Sequence, residues 1–442
     1  MNNSNKEELN QPKIQEEIPD ENNNLTNNQI ENNNIKDSNN NINNNNISNP
    51  KIKQENINEL EISAEEDFLE KSLINEIKQT ITQLEHQCEN EVGESAVETR
   101  CRILSYAIVL VDVYKKPKSN LIYPYTKLGE AYYDIKYYEQ AREHFENAIK
   151  YNNDPENKKY QTLPEDYLIK LTIKLSRCYL EIKEYQAALQ LGLRVLTENI
   201  KQYGENDISN VEIYDIIFQS EKNLEIYSDA IEHLKILNNY YNQIYDEKSD
   251  KCLLTKKEIA KLYELNKQKK EAITFYKEYF HLIEEVEIKD KIKEIFEISL
   301  KVGELHAELK EYKEAYDFLK KVDTDYNNGF NRTEKEKYVY QKFLCTLASY
   351  LNDNETYLKE LLHLEKILDE SKQARLSIKG KNYITIAHTY KTKKELDKSI
   401  EYYNKAADIF KNDPDGKLMA EINKAIKAIQ KEKRDEEFNN IK

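Results

Sequence analysis

Apolar residues recur along this chain at intervals of three and four, in paired runs, with no clear run at the interval of two that marks a strand. Leu128, Gly129 and Tyr132 share one helix face, and Ala141, Phe145 and Ala148 share another shortly after it. The pattern predicts two amphipathic helices joined by a turn near Asp134 to Tyr138. Small residues at Gly129, Ala141 and Ala148 let the helix axes come close, and Tyr125, Tyr132 and Phe145 fill the space between them. Such a hairpin has an apolar face that it cannot bury alone, so neighbours are required.

They are present in the sequence. Leu175-Ser176-x-x-Tyr179 precedes Tyr185-x-x-Ala188, and Tyr214 precedes Tyr227-x-x-Ala230. Ile259-Ala260-x-x-Tyr263 leads to Ala272, and Val302-Gly303 leads to Tyr312-x-x-Ala315. Leu347-Ala348 with Tyr357 is a degraded copy, and Ile386-Ala387-x-x-Tyr390 with Tyr403 and Ala406 is a clear last one. Counting each hairpin from seven residues before its small residue gives starts at 122, 169, 211, 253, 296, 341 and 380. Flanking this series, Ser63-x-x-Glu66 reads as a capping box that opens a helix with apolar positions Phe68, Leu69, Leu73, Ile77 and Leu84. Gly93 ends it, a second helix runs from Glu94 to Lys115, and Ile422, Ile426 and Ile429 mark a final helix after Gly416. Pro164 and Pro414 bracket a stretch without proline, which leaves little room for a sheet.

The run Tyr125-x-x-Leu128-Gly129-x-x-Tyr132, continued by Ala141, Phe145, Ala148 and Pro155, resembles a tetratricopeptide repeat, whose basic unit is about 34 residues. Residues 116–415 resemble an array of such repeats. Their longer period and the connector from Tyr203 to Val211 are similar to kinesin light chains. The resemblance implies an all-α fold, an α-solenoid of about seven TPR helical hairpins with an N-terminal helix pair and a C-terminal capping helix. The expected organisation is a disordered asparagine-rich tail over residues 1–60, a helical hairpin over 61–115, the array over 116–415, and a capping helix with a charged tail over 416–442. It further implies a groove lined by the first helix of each hairpin. At groove positions of the first two hairpins stand Thr126, Glu130, Tyr133 and Arg177; the next two supply Gln219, Lys222, Lys257 and Lys261. Chaperone adaptors of this superfamily clamp a terminal carboxylate with Lys and Asn where this chain has Thr126 and Glu130, so that clamp is not expected.

Composition narrows the function. The net charge is −15; residues 1–60 hold ten acids and five lysines, so the remainder carries −15 − (−5) = −10. An acidic array is a poor binder of nucleic acid, whose affinity comes from neutralised phosphates. Lysine runs at Lys267–Lys270 and Lys391–Lys394 fall near hairpin turns and read as solvated loops. Five separated cysteines without a Cys-x-x-Cys pair read as reduced, buried side chains of a cytoplasmic protein. No apolar leader opens the sequence and no run approaches a membrane span, so no membrane partner is expected. There is no phosphate loop, nucleophile elbow, metal-ligand spacing or other catalytic or cofactor motif. The expectation is a non-enzymatic scaffold or adaptor that holds a peptide or helix of a protein partner, with a motor or cytoskeletal link. The alternative is a structural component of a ciliary or microtubule-associated assembly.

Overall fold

The computed structural model describes residues 50–160, 162–288, 290–326, 332–371, 375–411 and 416–441. Among the described residues all regular structure is helical. The chain divides into two compact units, the first ending at Phe68 and the second running from Leu69 onward. The second unit holds seven hairpins in sequence. They are α3 (Ile122–Asp134) with α4 (Tyr138–Asn153), α5 (Glu165–Glu181) with α6 (Tyr185–Tyr203), and α7 (Asn210–Asn223) with α8 (Tyr227–Ile244). Then come α9 (Asp250–Leu265) with α10 (Lys269–Glu284), α11 (Lys291–Glu308) with α12 (Tyr312–Tyr326), α13 (Glu334–Tyr350) with α14 (Asn354–Glu370), and α15 (Leu376–Thr392) with α16 (Leu396–Phe410). Before them lie α1 (Pro50–Cys88) and α2 (Glu94–Asp112), and after them α17 (Lys417–Ile441).

The expected order of helices is observed, with two differences at the amino-terminal end. Helix α1 starts at Pro50, ahead of Ser63, so Ser63-x-x-Glu66 lies inside the helix, and residues 50–60, expected to be disordered, are helical; residues 1–49 of the expected tail lie outside the described residues. The face assigned to α1 is buried at one position only, Leu84. Phe68, Leu69 and Leu73 are exposed, while Ile74, Leu84 and Cys88 are buried, the last two in a small cluster with Ile103 of α2. Two apolar stripes coexist on this helix, and α2 covers only the one that includes Leu84.

The seven hairpins share one turn. Three residues separate the two helices of each, and the middle one is left-handed: Lys136, Lys183, Glu225, Lys267, Lys310, Asn352 and Lys394, with φ between 55° and 68°. In six of them the amide after that residue donates back to the carbonyl five positions earlier, as Tyr137 does to Tyr132 at 2.9 Å, which satisfies the last carbonyls of the first helix. Glycine would suit this backbone, yet five turns use lysine, whose charge favours a helix C-terminus. The sixth hairpin departs from the pattern and begins α14 with an Asp353 side-chain cap.

Packing inside each hairpin follows the small residues. Ala141, Ala188, Ala230, Ala272 and Ala315, one per hairpin in the first five, are fully buried. At Gly129 a Cβ would lie 2.6 Å from Phe145 Cδ1, so only glycine lets α3 approach α4 this closely. Above these small residues aromatic pairs bridge the two helices: Tyr132 stacks on His144, Tyr263 on Phe275 and Tyr390 on Tyr402, with centroids 5.3–5.6 Å apart. The third hairpin replaces the stack with an ion pair between buried Glu221 and His233, 2.8 Å apart.

The sixth hairpin breaks the series again. Where other hairpins place the ring of His144, His233, Phe275 or Tyr402 it has Glu360, 1% exposed. Its carboxylate accepts from Gln341 Nε2 and Tyr316 Oη, both at 2.7 Å, and faces Lys320 Nζ at 3.2 Å. One apolar cluster runs from Ile169 to Leu347, and separate clusters serve the last two hairpins and α17. The polar knot at Glu360 stands at that division.

Candidate functional site

The first helices of successive hairpins lie side by side in the second unit. Where α3 meets α5 and α5 meets α7 these helices are in contact, whereas the second helices do not approach to the same extent, so the first helices share one face, here called the inner face. Of the residues expected in the groove, Glu130, Tyr133, Arg177, Gln219, Lys222, Lys257 and Lys261 lie on first helices with half-buried or exposed side chains. Thr126 differs: it is fully buried, and its hydroxyl donates to the Ile122 carbonyl at 2.8 Å. A β-branched hydroxyl on a helix satisfies itself against the preceding turn, and this one is packed against the core. Ile173 and Leu180, at equivalent positions of α5, are buried as well.

The charged residues on this face are not free. Glu130 takes Lys127 of its own helix at 2.8 Å and Lys174 of α5 at 2.9 Å, with the Tyr167 hydroxyl donating at 3.1 Å. Arg177 on α5 pairs with Asp215 on α7 at 2.8 Å and stands 4.0 Å from Glu212, while Gln219 donates to the same Asp215 carboxylate at 2.8 and 2.9 Å. Lys222 on α7 pairs with Glu258 on α9, which also meets Lys261 at 3.4 Å. Lys257 on α9 reaches Glu294 on α11 at 2.5 Å, and Lys301 on α11 returns to Glu264 on α9 at 3.1 Å and meets Glu304 at 3.4 Å. Tyr133 is half-buried, edge-on to Tyr138 with centroids 5.6 Å apart and with Lys174 over its ring.

The result is a ladder of ion pairs that ties the first helices of the first five hairpins, α3 to α11, each to the next. The bases Lys127, Lys174, Arg177, Lys222, Lys257, Lys261 and Lys301 meet an equal number of acids, Glu130, Glu212, Asp215, Glu258, Glu264, Glu294 and Glu304. Burial alone would raise the Glu130 carboxyl, but the hydrogen bonds and charges of Lys127 and Lys174 outweigh it and hold it below the ordinary Glu value. Burial likewise opposes the charge on Arg177, and Asp215 outweighs it. The strip that reads as basic in the sequence is therefore neutral in the fold, and an acidic ligand there would have to displace carboxylates already in place. The acidic partners went unrecognised as partners in the sequence because each lies about one repeat away. The usable signal was opposite charge at that spacing: 38 residues for Arg177 and Asp215, 37 for Lys257 and Glu294.

Other features offer less chemistry. Cys88, Cys178, Cys252 and Cys345 are buried and Cys101 is half-buried, not fully buried as expected; all are free thiols. Burial pushes Cys178 and Cys345 up to about 12, which leaves them unreactive thiols. Among the described residues no group of His, Cys, Asp and Glu side chains is arranged to hold a metal ion, and no helix is long and apolar enough to cross a membrane. A cavity of about 710 Å³ lies between α1, α2, α3 and the start of α5, with Ile81, Leu110 and Ile122 among its lining residues.

Comparison with known proteins agrees with the hairpin geometry. The family described as "Tetratricopeptide repeat" matches residues 122–155 and 380–413, the first and last hairpins, beginning at the first positions assigned to them from the sequence. Among solved structures, the repeats of a putative kinesin light chain from Podosopora anserina are 14% identical with a TM-score of 0.35, covering 48% of this chain and 100% of that one. The C-terminal part of a TPR repeat-containing protein from Cytophaga hutchinsonii is 13% identical with a TM-score of 0.36, covering 66% and 97%. A complex of the TPR2AB domain of yeast Sti1 with pHSP90 is 13% identical with a TM-score of 0.29, covering 70% and 98%. No curated protein sequence matches.

Proposed function

We propose that this chain, a tetratricopeptide-repeat protein, is a non-enzymatic scaffold that holds a peptide or helix of a partner protein against its row of first helices. The observation that carries this reading is the row itself. Seven first helices, linked across repeats by side-chain bonds through α11, make a long face whose geometry is set before any partner arrives. A face already ordered loses little conformational entropy on binding, which is what a holding surface needs. The ladder residues Glu130, Arg177, Gln219, Lys222 and Lys257 fix the spacing of the helices, so contact with the partner falls to exposed groups beside them, Lys261 among them. The setting that the resemblance to kinesin light chains implies is the cytoplasm, with a motor-linked, cytoskeletal or ciliary assembly as its home.

The test is placement of a photo-crosslinking residue at inner positions Glu304 and Ser349 and at positions Lys313 and Asn404 on second helices, all four exposed. Crosslinking of a partner from the inner pair and not from the other pair supports the reading. The reverse pattern would overturn it in favour of assembly through the outer face.

A further inference from the structure

The ladder stops after α11, and what replaces it has one sign of charge. At the helix positions held by Lys127, Lys174, Glu258 and Lys301 in earlier hairpins, α13 and α15 carry Phe343 and Thr385; at those of Glu130, Arg177, Lys261 and Glu304 they carry Thr346 and His388. Thr346 and Thr385 turn their hydroxyls to the Lys342 and Lys381 carbonyls of their own helices, both at 3.0 Å, so they bridge nothing. From Lys337 to Asn352 there are two lysines and no acid, and from Arg375 to Lys394 there are six bases and no acid. The first fifteen residues of α17, Lys417 to Lys431, add four lysines against Glu421 alone. These three segments sum to 2 + 6 + (4 − 1) = +11 in a chain whose net charge is −15, and of their bases Lys379 and Lys393 meet acids outside the segments, Asp369 and Glu395.

The segments are neighbours in space. Cys345 and Tyr338 of α13 share an apolar cluster with Ile386, Ile378 and Tyr383 of α15, and Ile384 and Ala387 of α15 share another with Ile422 and Ile426 of α17. Lys342 and Lys381 are exposed, and among the described residues neither meets a carboxylate. The carboxylates nearest this face are already engaged. Glu334 accepts from Ser371, Glu336 caps α13 through Thr333, Asp369 pairs with Lys379, and Glu395 pairs with Lys393 and Lys398.

We propose that the inner face of the last two hairpins, continued onto α17, is a docking surface for a partner segment rich in aspartate and glutamate. The inference deepens the scaffold reading and rests on it. Hairpins one to five supply a stiff, self-neutralised spine, and the uncompensated charge that can attract a ligand is gathered at the carboxyl-terminal end. Charge complementarity selects an acidic segment, and the hydroxyl oxygens of Thr346, Ser349 and Thr385, whose protons go to carbonyls of their own helices, are left as acceptors for its backbone amides. At Lys342 and Lys381 no ordered partner charge has to be displaced, in contrast to Lys222 or Lys257.

The experiment uses the full chain and a fluorescein-labelled peptide of alternating Glu and Gly, about twelve residues long, read by anisotropy at low and near-physiological salt. The peptide is expected to bind, to weaken as salt rises, and to lose about tenfold in affinity in the double variant K342E/K381E. Both sites are exposed, so helicity should not change. The ladder double variant K222A/K257A is expected to keep affinity within about twofold. Equal binding by the wild type and K342E/K381E overturns the proposal. So does a labelled oligouridylate of the same charge that binds at least as tightly, because the surface would then answer to phosphate. A partner that crosslinks from Glu304 yet ignores K342E/K381E would leave the scaffold reading standing and defeat this inference alone.

Discussion

The pair Arg177 and Asp215 offers the sharpest test of whether the inner charges serve stacking or binding. Its atoms are 2.8 Å apart, and the side chains are 15% and 25% exposed, so the contact is partly shielded from water. Two unit charges about 4 Å apart at an effective dielectric near 20 attract by roughly 4 kcal/mol, and desolvation and rotamer ordering offset much of that. An exposed pair would couple by about 0–1 kcal/mol, and a charge-assisted hydrogen bond contributes about 1.5–3 kcal/mol. With this burial we expect about 1–2 kcal/mol of coupling between α5 and α7. The structure also predicts an asymmetry: Asp215→Ala leaves Arg177 with Glu212 at 4.0 Å, whereas Arg177→Ala leaves Asp215 with the Gln219 amide and the more distant charge of Lys251. Removal of the arginine should therefore cost more. The assay is a double-mutant cycle with Arg177→Ala, Asp215→Ala and both together, followed by urea unfolding and by hydrogen exchange resolved to α5–α7, because a repeat array can loosen locally. Coupling below about 0.3 kcal/mol, with exchange unchanged, would refute the reasoning and return Arg177 to the list of groups free to hold a ligand.

Three further outcomes follow from individual sites. Gly129→Ala places a methyl 2.6 Å from the buried Phe145 ring, and the overpacking should outweigh the gain in helix propensity, destabilising the first hairpin by roughly 1–2 kcal/mol in urea titration. Glu360→Gln keeps the shape of the polar knot but turns an amide NH₂ toward donors, and should cost about 1.5–3 kcal/mol, seen as faster exchange in α13 and α14. In the third hairpin the hydrogen bond and charge of Glu221 raise the pKa of His233 against the opposing effect of burial. A raised folded value means the pair stabilises fully below the unfolded pKa of 6.5 and loses that contribution as pH rises through the folded one. The double variant Glu221→Tyr/His233→Phe, which copies the Tyr263–Phe275 stack, should flatten this part of the thermal stability profile above pH 6.5.

Much of the architecture was legible in the residues alone. The three-and-four spacing of Leu128, Tyr132, Ala141 and Phe145 specifies two helices and their facing sides, because helix periodicity is a local property of the chain. The number and order of the hairpins follow from repetition of that pattern, and the first and last copies are plain enough to match the repeat family. Less was legible of α1, where two apolar stripes share one helix and only the packing of α2 selects which is covered.

The inner face divides in the same way. Its residue types were readable, including the basic character of Arg177, Lys222, Lys257 and Lys261 and the absence of a clamp at Thr126 and Glu130. Their state was not. Whether a lysine is available or already paired depends on which side chain the next hairpin brings within about 3 Å, and that is set by the rotation between repeats, which no local pattern encodes. The sequence thus determined seven hairpins, their turns and the sign of every charge. Only the stacking of one hairpin on the next decided that the charges of the first five cancel while those of the last two do not.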